Sequence, residues 1–431
     1  MLPCYNTRLM SLRILRFIML TSLFFCAIAP AFCAESLRDL SSELPRDLKA
    51  LSKIRILVQR DKPQVKVSAA ASFEVFDDQG RSVTRGTKLA GATVKPVGQG
   101  IQWWDQIVPT RFLLVKSMGN GIRVGASGVY RDEVLIYKNS KGSLDVISRL
   151  ELEDYLKSVI PFEGNPKWAL ESLKAQAIVS RTFALTKMLA RREEEYDVSA
   201  GFMSQVYAGK QIENERTNQA VDATRGQVLL YKEKIFPAYF HSTCGGATTA
   251  ADLVWRVKPL APLGGVECKF CQRSPHYKWE AVVTPAEIKQ KLAKQEMPVQ
   301  DVLAIRTDKI DRTGRAHKFV IQSTWAEKIV DADAFRVWID PMRLKSNLIT
   351  KIRANDAGAF VFKGKGWGHG VGMCQYGMKY LGELGYTYQG ILEYYYPGAT
   401  IASLPGSSDP ATADAPAKKS GTSLWSDLVG D

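Results

Sequence analysis

The chain has 431 residues, 45% hydrophobic and 24% charged, with a formal net charge of +14. This is an ordinary globular composition, with room for a sizeable core in one large or two modest domains. No stretch beyond the N-terminal segment is long and apolar enough to cross a bilayer as a helix.

The N-terminus is different. Arg8, Arg13 and Arg16 precede an apolar run from Phe17 to Ala29, and the small residues Ala31, Cys33 and Ala34 follow. That is the order of a secretory signal peptide over residues 1–34, with an uncleaved N-terminal anchor as the alternative. The expectation is an exported protein of the periplasm or cell envelope, touching the membrane only through this segment. A basic protein outside the cytoplasm meets anionic envelope polymer rather than nucleic acid, although scattered surface lysines and arginines would give the same net charge. Four cysteines follow residue 34, at 244, 268, 271 and 374.

Residues 35–50 are polar and read as a linker. A β-rich part, 51–147, is predicted from runs such as Ile54–Val58, Val65–Val67 and Val134–Tyr137, broken by Asp77-Asp78-Gln79-Gly80 and Asn139-Ser140-Lys141-Gly142 turns. These suggest a small antiparallel sheet. A strong helix is predicted to start at Asn165-Pro166, where Asn suits the N-cap and Pro the first turn. It continues through a run of good helix formers to about Glu195. Thr284-Pro285-Ala286-Glu287 reads as a capping-box start to another helix. Residues 403–431, rich in Ser, Pro, Ala, Asp and Gly, read as a disordered tail. The fold class is α+β.

Four segments carry chemistry. Glu163 stands two residues before the predicted N-cap, with Phe162 and Trp168 beside it. A general acid must keep its proton near neutral pH; apolar burial favours that, and a helix N-terminus opposes it. A capping or surface glutamate is the plain alternative. Lys174 and Arg181 lie seven residues apart, two turns along one helical face with Leu170, Ala177 and Ile178. There they grip an anion or snorkel to water.

Glycine recurs at every second position from Gly364 to Gly372. In a strand this bares one face and places Lys365, Trp367, His369 and Val371 on the other. No placement of G-x-G-x-x-G fits, so a dinucleotide site is not indicated. Finally, His241, Cys244, Cys268-x-x-Cys271 and His276 offer zinc ligands with a knuckle spacing, or cysteines for a disulfide in an oxidising compartment.

In order, these segments resemble the SpoIID/LytB family over residues 122–402. The matching residues are Leu150-Glu151-Leu152-Glu153-Asp154-Tyr155-Leu156, the Glu163 turn, Leu173-Lys174-Ala175-Gln176-Ala177 and Arg181-Thr182. Next come Gln205-Val206-Tyr207-x-Gly209, Ala220-Val221-x-Ala223-Thr224-x-Gly226 and His241-Ser242-Thr243-Cys244-Gly245-Gly246. Gly366 to Gly377 and Tyr394-Tyr395-Tyr396-Pro397-Gly398 complete the series. The resemblance sets a catalytic core at 148–402 and implies a peptidoglycan lytic transglycosylase. Such an enzyme acts on glycan strands stripped of stem peptides, in division or sporulation, and leaves 1,6-anhydro ends.

The family's glutamate falls on Glu163 and its basic helix positions on Lys174 and Arg181. Trp367, His369, Gln375 and Tyr376 are the expected substrate contacts. No cofactor is needed for that chemistry. A non-catalytic glycan-binding enhancer of a cell-wall amidase is the other reading.

Two departures from the family stand out. Cys374 occupies a position where the family has Ser. The Cys and His that hold zinc in some relatives, just before the Gln-Val-Tyr motif, are missing here. One structural zinc would therefore have to use Cys244, Cys268, Cys271 and His276, with His241 as an alternate ligand.

Overall fold

The computed structural model describes residues 37–45, 52–201 and 207–405. The chain divides into residues 1–38 and a compact unit from Asp39 onward, and only Leu37 and Arg38 of the first unit are described. The signal segment 1–34 lies outside the described residues, as do 35–36 and 46–50 of the linker, Gln205-Val206 of the Gln-Val-Tyr motif and all of the tail beyond 405. Part of the linker is structured: Ser42 N–H donates to the Ile235 carbonyl at 2.8 Å, and Ile235 N–H returns the bond at 2.9 Å. Ser403, the first residue of the expected tail, is the last residue of a strand, Thr400–Ser403, and pairs with Gln227.

The expected β-rich region forms two sheets rather than one small one. A seven-stranded sheet runs Val198–Ser199, Lys53–Lys62, Leu144–Glu151, Glu133–Lys138, Phe112–Ser117, Phe73–Phe76, Ser82–Gly86. A six-stranded sheet is built from strands between Val65 and Tyr130. Alternation drives both. Val65, Val67 and Ala69 turn inward while Lys66 faces water, the period-2 signature of a half-buried strand.

Leu144–Glu151 runs without a break into helix α1, Leu152–Glu163. Its stripe of Leu152, Tyr155, Leu156, Val159 and Ile160 follows helical spacing and joins the same core as the sheets. Glu153 and Asp154 sit in its first turn, where the macrodipole favours acids.

The predicted helix start at Asn165 is displaced. Asn165 Oδ1 accepts from Lys167 N–H at 2.9 Å and the Asn165 carbonyl from Trp168 N–H at 2.9 Å, so the asparagine makes a local turn. Helix α2 begins five residues later and spans Leu170–Ala190. It is buried on nearly every face, and its Ala and Ser residues let neighbouring elements come close. Around it pack α1, α3 (Glu215–Asp222), and two helices near the C-terminus.

After α4 (Ala251–Val254) the chain enters a region with its own hydrophobic core around Phe319, Phe335 and Phe362. This region holds α5 (Pro285–Ala293), α6 (Ala332–Ile339) and two three-stranded sheets between Lys278 and Lys365. The expected Thr284 cap forms, with its hydroxyl oxygen accepting from Glu287 N–H at 3.1 Å. The Glu287 carboxylate pairs with Arg343 at 2.7 Å. The chain then returns to the main body in α7 (Gln375–Glu383) and α8 (Tyr388–Tyr395).

Candidate functional site

Glu163 is the last residue of α1 and is half-buried. It does not stand before a helix N-terminus. Gln375, the first residue of α7, reaches it: Nε2 donates to the Glu163 carbonyl at 2.8 Å and to Oε2 at 3.3 Å. The same nitrogen lies 3.4 Å from Gln176 Oε1 on α2, and Gln176 Nε2 donates to Ser180 Oγ at 3.1 Å. Three helices therefore converge on one carboxyl group through two buried amides. Burial pushes the Tyr155 hydroxyl well above its usual range, and the neighbouring Glu163 charge adds to this.

From Glu163 a row of half-buried rings leads away. Trp168 meets Tyr376 edge-on at 5.9 Å between centroids, Tyr376 meets His276 at 5.9 Å, and His276 meets Trp367 at 4.4 Å. Lys345 closes the row, its Nζ 5.4 Å from the Trp367 ring centre and 3.4 Å from His276 Nδ1. Burial and the Lys345 charge lower the His276 pKa, so this ring is neutral at pH 7. A line of neutral rings ending in a cation suits the flat faces of sugars and an appended anion.

The glycine segment is not a strand beyond Lys365. Gly366, Gly368, Gly370 and Gly372 all have positive φ, from 70° to 107°, so the period-2 pattern marks alternating left-handed residues. Two of them also permit close approach: a Cβ at Gly370 would strike the Arg315 guanidinium, and one at Gly372 the Tyr239 carbonyl. Trp367 and Tyr376 emerge on the ring row, whereas His369 turns elsewhere. It packs against Trp255 at 5.2 Å and His241 at 5.6 Å, and its Nδ1 accepts from Val371 N–H at 3.1 Å. Desolvation lowers its pKa to about 4.

The two cations on α2 take other partners. Arg181 is fully buried and grips Glu153 with two bonds of 2.8 Å, while donating to the Gln227 and Val221 carbonyls. Its planar fork does hold a carboxylate, but that of Glu153, ten residues or about 15 Å along α1 from Glu163. Lys174 pairs with Glu171 at 2.8 Å and lies over the Tyr388 ring at 5.6 Å.

The cysteine group has a different fourth member from the one expected. The Sγ atoms of Cys244, Cys268, Cys271 and Cys374 lie within 4.8 Å of one another, all buried, an arrangement able to hold a metal ion. His276 belongs to the ring row, and His241 Nδ1 is bonded to the Val371 carbonyl at 3.0 Å. Cys374 arrives because Phe240–His241 and Met373–Cys374 pair as parallel strands across the 278–365 region. Sequence reading also missed Gln176; a polar side chain in the most buried stretch of an alanine-rich helix was the available signal.

Residues 140–231 match the family described as Stage II sporulation protein, and residues 267–372 match a Domain of unknown function (DUF8618). An uncharacterised protein of Brachyspira hyodysenteriae is 33% identical over 279 residues, 60% of this chain and 73% of its own length. Stage II sporulation protein D of Bacillus amyloliquefaciens is 29% identical over 58% of this chain and 73% of its own length. The amidase enhancer of Bacillus subtilis is 28% identical over 53% of this chain, which spans 38% of that longer protein.

Proposed function

Because the chain belongs to the SpoIID/LytB family, we propose that it works on the cell wall as an exported lytic transglycosylase of peptidoglycan glycan strands lacking stem peptides. One observation carries this reading: Glu163 is held from α7 by Gln375, itself bonded to Gln176 on α2, at the head of the ring row Trp168, Tyr376, His276 and Trp367.

In the proposed reaction the glycan lies along the rings. Glu163 donates its proton to the oxygen bridging MurNAc and GlcNAc, and the bond from the MurNAc anomeric carbon to that oxygen breaks. The MurNAc 6-hydroxyl oxygen closes on the anomeric carbon, and its proton passes to the Glu163 carboxylate. The products are a 1,6-anhydro end and a free GlcNAc 4-hydroxyl. No water is consumed, so the reaction needs no second carboxylate to activate one. The Lys345 end of the row suits the lactyl carboxylate.

The amidase enhancer among the relatives supports a second reading, in which the same groove holds denuded glycan and presents it to an amidase. Purified denuded glycan strands, incubated with wild type and with Glu163→Gln and analysed by mass spectrometry, separate the two. The transglycosylase reading requires 1,6-anhydro products from wild type, none from the variant, and retained glycan binding in both. Binding without product from wild type would leave the enhancer role.

A further inference from the structure

We propose that Cys244, Cys268, Cys271 and Cys374 bind one zinc ion as a closed four-thiolate site that ties the returning chain to the main body and sets Gln375 in place. A tetrahedral zinc with bonds of about 2.3 Å has sulfur–sulfur edges of about 3.8 Å. Here all four sulfurs fall within 4.8 Å of one another, with Cys244 and Cys271 at 3.4 Å. Cys268-x-x-Cys271 supplies the knuckle; Cys374 ends the strand Met373–Cys374, and Cys244 follows its partner strand Phe240–His241.

The surroundings are those of an anionic sulfur cluster. Cys244 N–H donates to Cys374 Sγ at 3.2 Å, and the Tyr395 hydroxyl lies 3.2 Å from Cys268 Sγ. The decisive neighbour is Arg315, only 2% exposed. Its guanidinium donates to the Cys244 and Ala247 carbonyls and to Thr313 Oγ1, its Nε has no partner, and among the described residues no carboxylate pairs with it. Asp311 attracts it through space; the Asp311 oxygens accept from the Arg315 main-chain N–H at 3.1 Å, from Thr249 at 2.7 Å and from Thr313 at 2.6 Å.

A buried cation needs nearby negative charge, and Arg315 faces both Asp311 and the cysteine sulfurs. Four thiolates around Zn²⁺ carry two net negative charges, one of which Arg315 offsets. Two disulfides would be neutral and would remove the sulfur cluster's share of the negative charge facing Arg315, leaving it the attraction of Asp311.

The ligands also explain the placement of Gln375. Cys374 is the N-cap residue of α7, so a bond to its sulfur fixes the residue directly before Gln375. Two residues before Cys244, Ser242 accepts through its carbonyl from Tyr376 N–H at 3.1 Å. Cys268 and Cys271 lie just before the 278–365 region and Cys374 just after it, so one ion would clamp its root. The zinc site stands without the proposed reaction; only its effect on turnover rests on that reading.

The test uses the full chain, purified without a metal-binding tag or chelator, with metals quantified by mass spectrometry. One zinc per chain is expected. Exchange with Co²⁺ should give the intense thiolate-to-metal absorption and visible bands of a tetrahedral sulfur site. Cys374→Ser should weaken zinc binding by more than about tenfold, whereas His276→Ala should keep the full zinc content. Removing zinc should raise amide exchange at residues 374–377 and restoring it should reverse this, whether or not glycan is cleaved.

Two disulfides in metal-free protein grown with added zinc would overturn the site, as would iron in its place or zinc loss in His276→Ala. Zinc removal that leaves exchange at 374–377 unchanged would overturn the positioning role alone.

Discussion

Gln375 donates from one side-chain nitrogen to both the main-chain carbonyl and the carboxylate of Glu163, at 2.8 and 3.3 Å. The family resemblance put this glutamine among the substrate contacts. Its geometry makes it a positioning residue, holding the C-terminal end of α1 against the first turn of α7. Gln375→Leu removes the donor and keeps the bulk. A lost hydrogen bond to a charged group is worth about 1.5–3 kcal/mol, so kcat should fall about 10- to 100-fold with KM nearly unchanged. Its pH–rate profile should also shift, because the group that holds the Glu163 carboxylate has gone. A change in KM alone would return Gln375 to the substrate contacts.

The ring row sets a contrasting prediction. Trp367 stands at the far end from Glu163, against His276 at 4.4 Å and under Lys345 at 5.4 Å. If sugars lie along the row, Trp367 binds ground state and transition state alike. Trp367→Ala should raise KM about tenfold, the order of one aromatic contact of about 1–1.5 kcal/mol, and leave kcat within about twofold. Steady-state kinetics on glycan strands of increasing length would check this, and the effect should disappear on strands too short to reach the ring.

The outcome separates what local pattern encodes from what it does not. The helix through Leu173-Lys174-Ala175-Gln176-Ala177 was legible because its residues all favour helix. The Thr284 cap was legible because its chemistry is complete within four residues. Helix α1 was harder to see: Leu150-Glu151-Leu152 passes from strand to helix with no Gly or Pro between, and Pro161 argues against a helix that contains it. Glu153 and Asp154 in the first turn were the one local sign. The glycine repeat misled because period 2 fits a bare strand face as well as alternating positive φ. Cys374 could not be joined to Cys271 by spacing, because a region with its own core separates them. The pairing depends on a parallel contact between Phe240–His241 and Met373–Cys374 that only the fold creates.

The His369 environment predicts a pH dependence of stability. Desolvation lowers its folded pKa to about 4, against an ordinary value near 6.5. Between those values the unfolded chain binds a proton that the folded chain refuses, so stability rises with pH across the window. The contribution is fully present above pH 6.5 and is lost as pH falls toward 4. Melting temperature should therefore drop over this interval, and His369→Gln should flatten the slope there while leaving the acid limb below pH 4. A variant with the wild-type slope would move the effect to other groups.

The last prediction concerns Arg181, whose fork closes on Glu153 with two bonds of 2.8 Å in a fully buried setting. Glu153 Oε1 also accepts from Gly226 N–H at 3.2 Å, so this pair joins the start of α1 to α2 and to the strand after α3. An Arg181 that held Glu163 directly would, when changed to Lys, lower kcat in a protein of normal stability. The observed geometry requires the reverse order of effects.

Arg181→Lys keeps the charge but cannot make the two-bond grip and still reach the Gln227 and Val221 carbonyls. It should lose about 1–3 kcal/mol of stability, read as a lower melting temperature. Below that temperature kcat should stay within a few-fold of wild type. Arg181→Met should cost more, about 3–5 kcal/mol, because it leaves Glu153 half-buried without its partner. Adding Glu153→Gln to Arg181→Met should recover part of that loss, since the stranded charge is then removed. Purely additive losses in that double-mutant cycle would mean that the two residues act separately. A large kcat loss at unchanged melting temperature would place Arg181 back at the carboxyl group of Glu163.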